Sequence, residues 1–438
     1  MKVATTTPQR TPVIIDGVRT PFMRSHKAYD ALSAYELGRL ALQGLLAKTR
    51  LDPGAVEQLT MGTVIHDPTA SNIARECLLG ADLPAAIPAF TVSLACISSN
   101  VAATTLVDMI NLGRIEVGIF SGVDTCSDPP IRVSGKMRRV LAHLGQMKGP
   151  KDMGKHWPLL STVRPRDFKL DIPQVVEFSN GKSMGQGAEY LARQKSVSRE
   201  QCDGYALRSH QLAAKAQAAG IFTDYIVPVF IPPHFRPLAS DDGPRGDSTL
   251  EQLAKLRPAF DRYFGVCTAA NSSFLTDGAG AVLLMSQERA QREGLSAKAI
   301  IRDYIYRAGE AHREMLSGPA LTIPLLLHKN GLSIADIGVW EIHEAFAAQM
   351  VANLAYMKDD AFAQQRLGLE RAPGEIPLEK INSWGGSLAL GHPFGATGAR
   401  LLYTAAERLQ REQCRFAVVS GCAAGGHGSA ILLENPDA

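Results

Sequence analysis

The chain has 438 residues, of which 45% are hydrophobic and 20% are charged, and its formal net charge is +3. This length is sufficient for a large buried core and for two or three domain-sized units. A charge so close to neutral excludes a general electrostatic requirement for nucleic acid as a partner. The sequence contains no run of about 20 apolar residues and therefore predicts no membrane span.

The cysteines and the first residues indicate a reducing compartment. Seven cysteines are scattered along the chain and none forms a C-x-x-C pair, so neither a disulfide framework nor a paired-cysteine zinc site is expected. Free thiols are typical of the cytosol or a matrix-like compartment. The opening "MKVATTTPQRTPVIIDGVRTPF" lacks the charged-then-apolar order of a secretory signal, and its shortness favours a bacterial protein.

In chain order, the first stretch with reactive chemistry is "SLACISSN" at residues 93–100. An amphipathic helix is predicted at about 100–112, followed by the short buried strand "VGIFSGV", which ends in a Ser-Gly turn. We expect the helix to begin near Ser98, which would place Cys96 where the helix dipole and free N–H groups favour the thiolate. A buried, inert structural cysteine is the alternative.

The middle of the chain is strongly basic. Residues 131–170 contain ten Lys or Arg and two acidic residues. Within them, "SGKMRRVLAHLGQMKG" predicts a helix with one apolar face, formed by Met137, Val140, Leu141, Leu144 and Met147. Such a helix suits a membrane surface or a partner protein, and the alternative is a helix packed on its own domain with a solvated basic rim. "RSHQLAAKAQAAG" (208–220) predicts a further helix.

Three stretches of the C-terminal part carry reactive side chains. "EIHEAFAAQM" places His343 and Glu344 at the end of a predicted strand, before an apolar helix. "LALGHPFGATGA" holds His392 in a glycine-rich turn, where backbone can approach a ligand and an imidazole can accept a proton. A helix at about 398–412 and the strand "FAVVSGC" then lead to Cys422 in a second glycine-rich turn, whose N–H groups can hold an oxyanion.

These side chains allow two chemical interpretations. Two cysteines and two histidines could be metal ligands, but their wide separation among glycine-rich turns argues against a structural zinc site. Acyl transfer, with one cysteine as nucleophile and the other as acid and base, explains more of the pattern. We therefore predict an acyl-transfer site and no metal.

The order of elements is repeated along the chain. "ACISSNVAATTLVDMINLGRIEVGIFSGVDTC" and "GHPFGATGARLLYTAAERLQREQCRFAVVSGCA" both have a loop, a helix, a strand and a Ser-Gly turn. Upstream of them, "LDPGAVEQLTMGTVIHD" and "LSIADIGVWEIHEAFAA" also match in pattern. We predict two similar α/β halves with Cys96 and His392 in equivalent loops. Chance similarity of β-α-β units is the alternative.

Together, "SLACISS", "IHEAFAAQ", "GGSLALGHPFGATGAR" and "CAAGGHG" resemble the thiolase family, in the family's order and over nearly the whole chain. "HEAFAAQ", with His343 where most thiolases have Asn, resembles the β-subunit branch of the fatty-acid oxidation trifunctional complex. The resemblance implies an α/β duplicated thiolase fold, with two βαβαβαββ halves in five αβαβα layers and an inserted loop domain. The N-terminal half would comprise 1–130 with 245–295, the loop domain 131–244 and the C-terminal half 296–438.

The resemblance also implies roles for the reactive groups. Cys96 would be the nucleophile that carries the acyl group, and His392 would take its proton. Cys422 would protonate the enolate of acetyl-CoA and later deprotonate CoA. His343 together with His392 would hold the enolate oxygen, and the backbone N–H groups of Cys96 and Ala424 would hold the acyl-enzyme oxyanion.

Four further residues would contact the substrate by resemblance. Ser273 would lie near the pantetheine arm and Arg245 near the CoA phosphates, with a plain surface arginine as the alternative for the latter. Met184 and Phe346 would line the acyl pocket. Ser183 stands where many thiolases have a histidine, so the contact of that histidine is not carried over.

The implied function is thiolytic cleavage of 3-ketoacyl-CoA by CoA in fatty-acid β-oxidation, which gives acetyl-CoA and a shortened acyl-CoA. CoA would be a co-substrate, and no cofactor would be bound permanently. A biosynthetic acetoacetyl-CoA thiolase and a non-catalytic acyl-CoA or lipid carrier are the alternatives. Ketoacyl synthases share the fold, but they lack a second cysteine at the position of Cys422.

The expected partners follow from the same resemblance. We expect a homodimer or tetramer, and an association with a hydratase/dehydrogenase α-subunit or a peripheral membrane contact through 131–170. No nucleic acid is expected. The location would be the bacterial cytoplasm, or the mitochondrial matrix in a eukaryote.

Overall fold

The computed structural model describes residues 10–149, 152–171 and 176–438. In these residues the chain forms fourteen strands and fourteen helices, joined by turns and short 3₁₀ segments. The strands are β1 (Pro12–Arg19), β2 (Met23–Arg24), β3 (Gln58–Gly62), β4 (Ala89–Val92), β5 (Val117–Asp124), β6 (Arg132–Val133), β7 (Leu170–Asp171), β8 (Val229–Ile231), β9 (Arg236–Leu238), β10 (Thr276–Ser286), β11 (Ala299–Ala308), β12 (Ile337–Ile342), β13 (Phe416–Ala423) and β14 (His427–Glu434). The helices are α1 (Ala34–Thr49), α2 (Ile73–Gly80), α3 (Ser98–Asn111), α4 (Gly135–Gly145), α5 (Met153–Leu160), α6 (Met184–Gln194), α7 (Arg199–Ala218), α8 (Leu250–Ala254), α9 (Gln287–Arg292), α10 (Gly318–Asn330), α11 (Ala347–Tyr356), α12 (Asp360–Phe362), α13 (Ser387–Leu390) and α14 (Thr397–Arg411).

The main sheet is continuous across both halves of the chain. Its strands lie in the order β12-β13-β14-β11-β1-β10-β5-β3-β4, and β2 pairs with β10 off this path. The pairs β3–β4, β3–β5 and β12–β13 are parallel. The halves meet where β1 and β11 pair antiparallel, through Val13 with Ile300 and Ile14 with Ala299.

The predicted internal repeat is visible in this strand order. Outward from the junction, β1, β10, β5 and β3 correspond to β11, β14, β13 and β12, with the same succession of antiparallel and parallel pairs. α3 leads into β5, and α14 leads into β13. Cys96, just before α3, and His392, just before α14, therefore do lie at equivalent places, as predicted.

Helices cover both faces of the two half-sheets. α3 and α14 pack against each other between the half-sheets, α1 and α2 cover the outer face of the N-terminal one, and α10 covers that of the C-terminal one. Strand residues alternate accordingly: Val13 and Ile15 pack in the cluster around α1, whereas Ile14 packs in the central cluster. Burial on both faces explains the near-continuous apolar strands, and the predicted five-layer α/β thiolase fold is confirmed.

Some element ends differ from the prediction. The two Ser-Gly pairs lie inside strands, because β5 continues to Asp124 and β13 to Ala423. Cys422 is consequently a strand residue rather than a member of the glycine-rich turn that follows. The helices predicted at 100–112 and 398–412 are Ser98–Asn111 and Thr397–Arg411.

The basic segment forms α4 and α5 beside the short pair β6–β7. On the predicted apolar face of α4, Met137 and Val140 are buried, but Leu141 is 50% exposed. Lys136 of this helix pairs with Asp167 at 2.6 Å. The helix thus packs on its own segment and leaves one large apolar side chain in solvent. Among the described residues, none of the helices has the length and hydropathy that crossing a bilayer requires. The domain boundaries given above remain predictions.

Candidate active site

Cys96 lies in a tight turn between β4 and α3. The residue before it, Ala95, has a φ of 46°, a left-handed conformation that a residue with a Cβ adopts only under local constraint. Ser98 supplies that constraint, because its Oγ accepts the N–H of Leu94 at 2.8 Å and donates to the carbonyl of Ala95 at 2.7 Å. The turn holds the thiol in a fixed, half-buried position at the start of the helix.

The Cys96 thiol is protonated at rest. Burial, together with the Asp124 carboxylate, raises the pKa of Cys96 to about 12, although the N–H groups of Cys96 and Ala424 act in the opposite direction. The expectation that the helix terminus favours a resting thiolate is therefore wrong, because desolvation outweighs the N–H groups. A base must remove the proton when the thiol reacts.

Two histidines meet Cys96. The Sγ atom of Cys96 and one ring nitrogen each of His343 and His392 lie within 4.8 Å of one another, and the two ring centroids are 4.1 Å apart. Nδ1 of His343 is 3.0 Å from Ser387 Oγ, and Nδ1 of His392 is 2.6 Å from Thr397 Oγ1. In the described part of the chain no group hydrogen-bonds either Nε2 atom, although both are buried, so these nitrogens are free to serve a substrate.

Both imidazoles are neutral at rest. Burial lowers the pKa of His392 to about 3, and it lowers the pKa of His343 well below its usual range, with a further contribution from His392. A neutral imidazole has one donor and one acceptor nitrogen. The pair can therefore accept a proton at one ring and donate a hydrogen bond from the other.

Cys422 completes the group from the other half of the chain. It is buried in β13, where burial and the neighbouring Cys96 raise the pKa of its thiol. Gly318, at the start of α10, packs so closely that a Cβ there would lie 2.8 Å from the Cα of Cys422. The helix thus fixes the backbone that carries the second thiol.

Two chambers open onto Cys96. One, of about 430 Å³, has mostly hydrophobic walls and is here named the apolar chamber; its lining includes Val64, Ile65, Pro129, Pro130, Val176 and Leu275. The other, of about 310 Å³, is here named the serine chamber and is lined by Ser272, Ser273, Phe260, Phe346, His392 and Cys422, among others. Five residues belong to both: Cys96, Met184, Leu275, Phe394 and Ala424.

The predicted substrate contacts separate into two groups. Ser273 and Phe346 line the serine chamber, and Met184 lines both chambers. Arg245 lines neither of them: it is exposed, and its Nη1 donates to the carbonyls of Asp242 and Pro244. The structure brings the first three to Cys96 and leaves Arg245 on the surface.

The site can also be considered as a metal centre. Cys96, His343 and His392 offer one sulfur and two nitrogens, which are donors that zinc accepts. These three residues, which lie far apart in the sequence, therefore lie close together in the structure. The same donors, with Cys422 beside them, equally suit nucleophilic acyl transfer.

Comparison with known proteins decides the family. The thiolase N-terminal domain model matches residues 12–288, and the thiolase C-terminal domain model matches residues 295–435. The chain belongs to the thiolase family. The predicted resemblance to the trifunctional β-subunit branch is also confirmed, since the mitochondrial trifunctional enzyme subunit beta of Bos taurus is 45% identical over 425 residues, 97% of this chain and 88% of that protein.

Other thiolases agree with this assignment. The 3-ketoacyl-CoA thiolase of Pectobacterium carotovorum is 43% identical over 420 residues, which cover 96% of this chain and 95% of that protein. The crystal structure of human mitochondrial 3-ketoacyl-CoA thiolase matches with a TM-score of 0.81 and 28% identity, over 98% of this chain and 99% of that one. The Bacillus anthracis acetyl-CoA acetyltransferase matches with a TM-score of 0.82 and 30% identity over the same shares.

Sequence reasoning missed the residue that joins the catalytic loops of this thiolase. The buried carboxylate of Asp124 accepts the N–H of Ile65 at 2.7 Å and that of Gly395 at 2.5 Å. It thereby ties a wall of the apolar chamber to the loop that carries His392. Its only sequence signal is its place at the end of a buried strand, which many structural aspartates share.

We expect Asp124→Asn to lower the pKa of Cys96. Burial raises the pKa of Asp124 to about 6, so at pH 7–8 it is an anion that disfavours a neighbouring thiolate. Without that charge, alkylation of Cys96 by iodoacetamide should be faster at neutral pH, with its pH midpoint shifted downwards. Mass spectrometry of the Cys96 peptide measures this rate, and the exposed Asp128→Asn should leave it unchanged. An unchanged or upward-shifted midpoint in Asp124→Asn would contradict the assigned effect.

Proposed function

We propose that this thiolase cleaves 3-ketoacyl-CoA with CoA, through an acyl group carried on Cys96. The observation that carries the proposal is the convergence of Cys96, His343 and His392 within 4.8 Å, with Cys422 in a shared chamber. An acyltransferase with this function was the prediction of the sequence analysis, and relatives named 3-ketoacyl-CoA thiolase and trifunctional enzyme subunit beta bear it out. CoA is then the co-substrate.

The first half of the reaction forms the acyl-enzyme. His392 takes the thiol proton as the Cys96 sulfur attacks the 3-keto carbon, and the N–H groups of Cys96 and Ala424, which already lower the pKa of that thiol, hold the oxyanion. Collapse breaks the bond between C2 and C3, and the electron pair becomes the enolate of acetyl-CoA. The enolate oxygen lies between the Nε2 atoms of His343 and His392, both without a protein partner among the described residues.

The second half returns the enzyme to its starting state. Cys422 gives its proton to C2 of the enolate, and acetyl-CoA leaves. The Cys422 thiolate then takes the proton of a new CoA thiol, which attacks the thioester and expels Cys96. The leaving Cys96 sulfur takes back the proton that His392 holds. Because burial raises the pKa of the Cys422 thiol, Cys422 holds its proton until a strong base, the enolate, is next to it.

The two chambers suit the two parts of the substrate. The serine chamber offers the hydroxyl groups of Ser272 and Ser273 to the amides of a pantetheine arm. Both chambers have mostly hydrophobic walls, and the apolar chamber has the larger volume for an alkyl chain. Met184, which lines both chambers, and Phe346, which lines the serine chamber, stay the predicted contacts of the acyl group. Arg245 is exposed and lines neither chamber. It would therefore contact a CoA phosphate only outside them.

A thiolysis assay tests the function. Purified protein is given CoA with either acetoacetyl-CoA or a long-chain 3-ketoacyl-CoA, and loss of the ketoacyl absorbance is followed. Preferred cleavage of the long chain supports a role in β-oxidation. Preference for acetoacetyl-CoA would favour the biosynthetic alternative, and tight acyl-CoA binding without turnover would favour a carrier.

We expect Cys422→Ala to separate acylation from turnover. The variant keeps the nucleophile but lacks the proton donor and acceptor, so kcat should fall by roughly 10²–10⁴-fold. Cys96 should still be acylated, since its base and its oxyanion donors are intact. Mass spectrometry after a single addition of 3-ketoacyl-CoA should find the acyl group on Cys96. Full turnover by this variant would exclude Cys422 from the proton transfers.

The basic segment would be a docking surface for an α-subunit. It exposes Leu141, Trp157 and Phe168, the last two by more than 60%, among an excess of positive charge, a combination found at protein or lipid contacts. Relatives named as subunits of a trifunctional enzyme favour a protein partner. The double variant Trp157→Ala/Phe168→Ala should no longer co-purify with a hydratase/dehydrogenase subunit. If this variant still co-purifies but no longer binds anionic vesicles, the segment is a membrane contact instead.

The compartment would be reducing. All seven cysteines lie in the described part of the chain, and none forms a disulfide there. The bacterial cytoplasm or the mitochondrial matrix would keep both catalytic thiols in the reduced form that the reaction needs.

A further inference from the structure

A short segment between the basic region and α6, residues 176–184, contacts the turn that follows Cys422. The carboxylate of Glu177 accepts a hydrogen bond from the backbone N–H of Gly425. Gly425 directly follows Ala424, which lines both chambers together with Cys96 and whose N–H lowers the pKa of the Cys96 thiol. Two consecutive N–H groups of this turn thus have different partners: Ala424 faces the reacting centre, and Gly425 faces Glu177.

The conformation of this turn depends on a contact from outside it, because its two glycines restrict the backbone dihedral angles only weakly. Gly425 and Gly426 have φ values of 82° and 76°, and a pair of glycines has access to many other conformations. The hydrogen bond to Glu177 Oε1 fixes the direction of the Gly425 N–H. Glu177 therefore selects one orientation of the peptide that joins Ala424 to Gly425.

The segment that carries Glu177 is itself held in place. Its ends are closed by two backbone hydrogen bonds of 2.8 Å, from Glu177 N to the carbonyl of Lys182 and from Gly181 N to the carbonyl of Glu177. Lys182 Nζ lies 3.2 Å from Nδ1 of His312 in the C-terminal half. Val176 of the segment lines the apolar chamber, and Met184 lines both chambers. Glu177 is thus a fixed acceptor rather than a surface side chain in chance contact.

We propose that Glu177 is a positioning residue for catalysis, which holds the Ala424 N–H in the orientation that stabilises the acyl-enzyme oxyanion. It acts through Gly425 and does not touch the substrate. The inference rests on the proposed thiolysis, because the oxyanion exists only in that reaction. The acceptor matters and the charge does not, since a carboxylate gives no direct help to a developing anion nearby.

Three variants of the full-length protein test the proposal. Glu177→Ala removes the acceptor, so kcat for acetoacetyl-CoA should fall roughly tenfold, less than the 10²–10³-fold typical of deleting an oxyanion donor, with KM unchanged. Glu177→Gln keeps an acceptor oxygen and should stay within about twofold of the wild type. Phe178→Ser changes a fully exposed side chain of the same segment and should leave kcat unchanged.

Hydrogen exchange provides a readout that does not depend on turnover. In Glu177→Ala, the peptide spanning residues 422–427 should exchange faster by mass spectrometry, while the Gln variant retains its protection. Unchanged exchange in the Glu177→Ala variant would overturn the proposal, as would an equal loss of kcat in Glu177→Gln or Phe178→Ser, or a rise in KM alone. If the wild type cleaves no 3-ketoacyl-CoA while the Ala variant still exchanges faster, the proposed function fails and the anchoring of the turn stands.

Discussion

Replacing Cys96 with alanine is expected to abolish thiolysis, lowering kcat by roughly 10⁴-fold or more, because no covalent acyl-enzyme can then form. In the proposed reaction the two histidines and Cys422 bind or transfer protons, so none of them replaces the covalent step. Thiolysis of acetoacetyl-CoA and of a long-chain 3-ketoacyl-CoA, measured side by side, checks the loss for both chain lengths.

The matched control for this variant is Cys126→Ala. Cys126 lines the same apolar chamber as Cys96, and its backbone N–H is held at 2.6 Å by Asp277, so removing its sulfur leaves the local backbone in place. We expect near-wild-type kcat for this variant. Residual turnover in Cys96→Ala above one ten-thousandth of the wild type, or an equal loss in Cys126→Ala, would contradict the assignment of the nucleophile.

Gly122→Ala is expected to have the largest effect on stability. A Cβ at residue 122, in β5, would lie 2.0 Å from the backbone oxygen of Gly395, in the loop that carries His392. Neither neighbour can rotate away, because one is in the central sheet and the other is held by Asp124. The free energy of unfolding should fall by at least about 1–3 kcal/mol, and kcat should fall with it as His392 moves. Denaturant titration and the thiolysis assay measure the two effects.

Gly204→Ala distinguishes this clash from a general intolerance of glycine replacement. Gly204 lies within α7, and a Cβ there would meet no atom within 4 Å. Alanine in a helix interior should raise the free energy of unfolding by about 0.5–1 kcal/mol and leave thiolysis unchanged. A stable, active Gly122→Ala variant would show that the β5 strand and the His392 loop can separate without loss.

The sequence predicts the elements that repeat and the residues that stand in distinctive motifs. Helix α3 begins at Ser98 as expected, and Cys96 and His392 precede equivalent helices. These predictions succeed because apolar periodicity and glycine-rich turns are local signals. The convergence of the two histidines on Cys96 is not local, and for this chain it was reached through family resemblance.

The features that sequence reasoning missed depend on which residues are buried and in contact in the folded protein. The protonated state of Cys96 follows from desolvation and from Asp124, which is distant from the helix start that suggested a thiolate. The contact of Glu177 with Gly425 joins residues 248 positions apart, and neither residue belongs to a recognisable pattern. Leu141 has the periodicity of a buried residue, yet it is exposed, because periodicity identifies a face but not its width.

The pairing of β1 with β11, and the packing of α3 on α14, have a consequence for how the enzyme matures. Cys96, the proposed nucleophile, comes from the first copy of the repeat, whereas both imidazoles and the second thiol come from the other, more than 240 positions later in the chain. Contacts between such distant positions form late in folding, since closing long loops is entropically costly. During synthesis, a nascent first half can fold around its own core but has no catalytic power. Activity therefore requires that both halves are present and packed together.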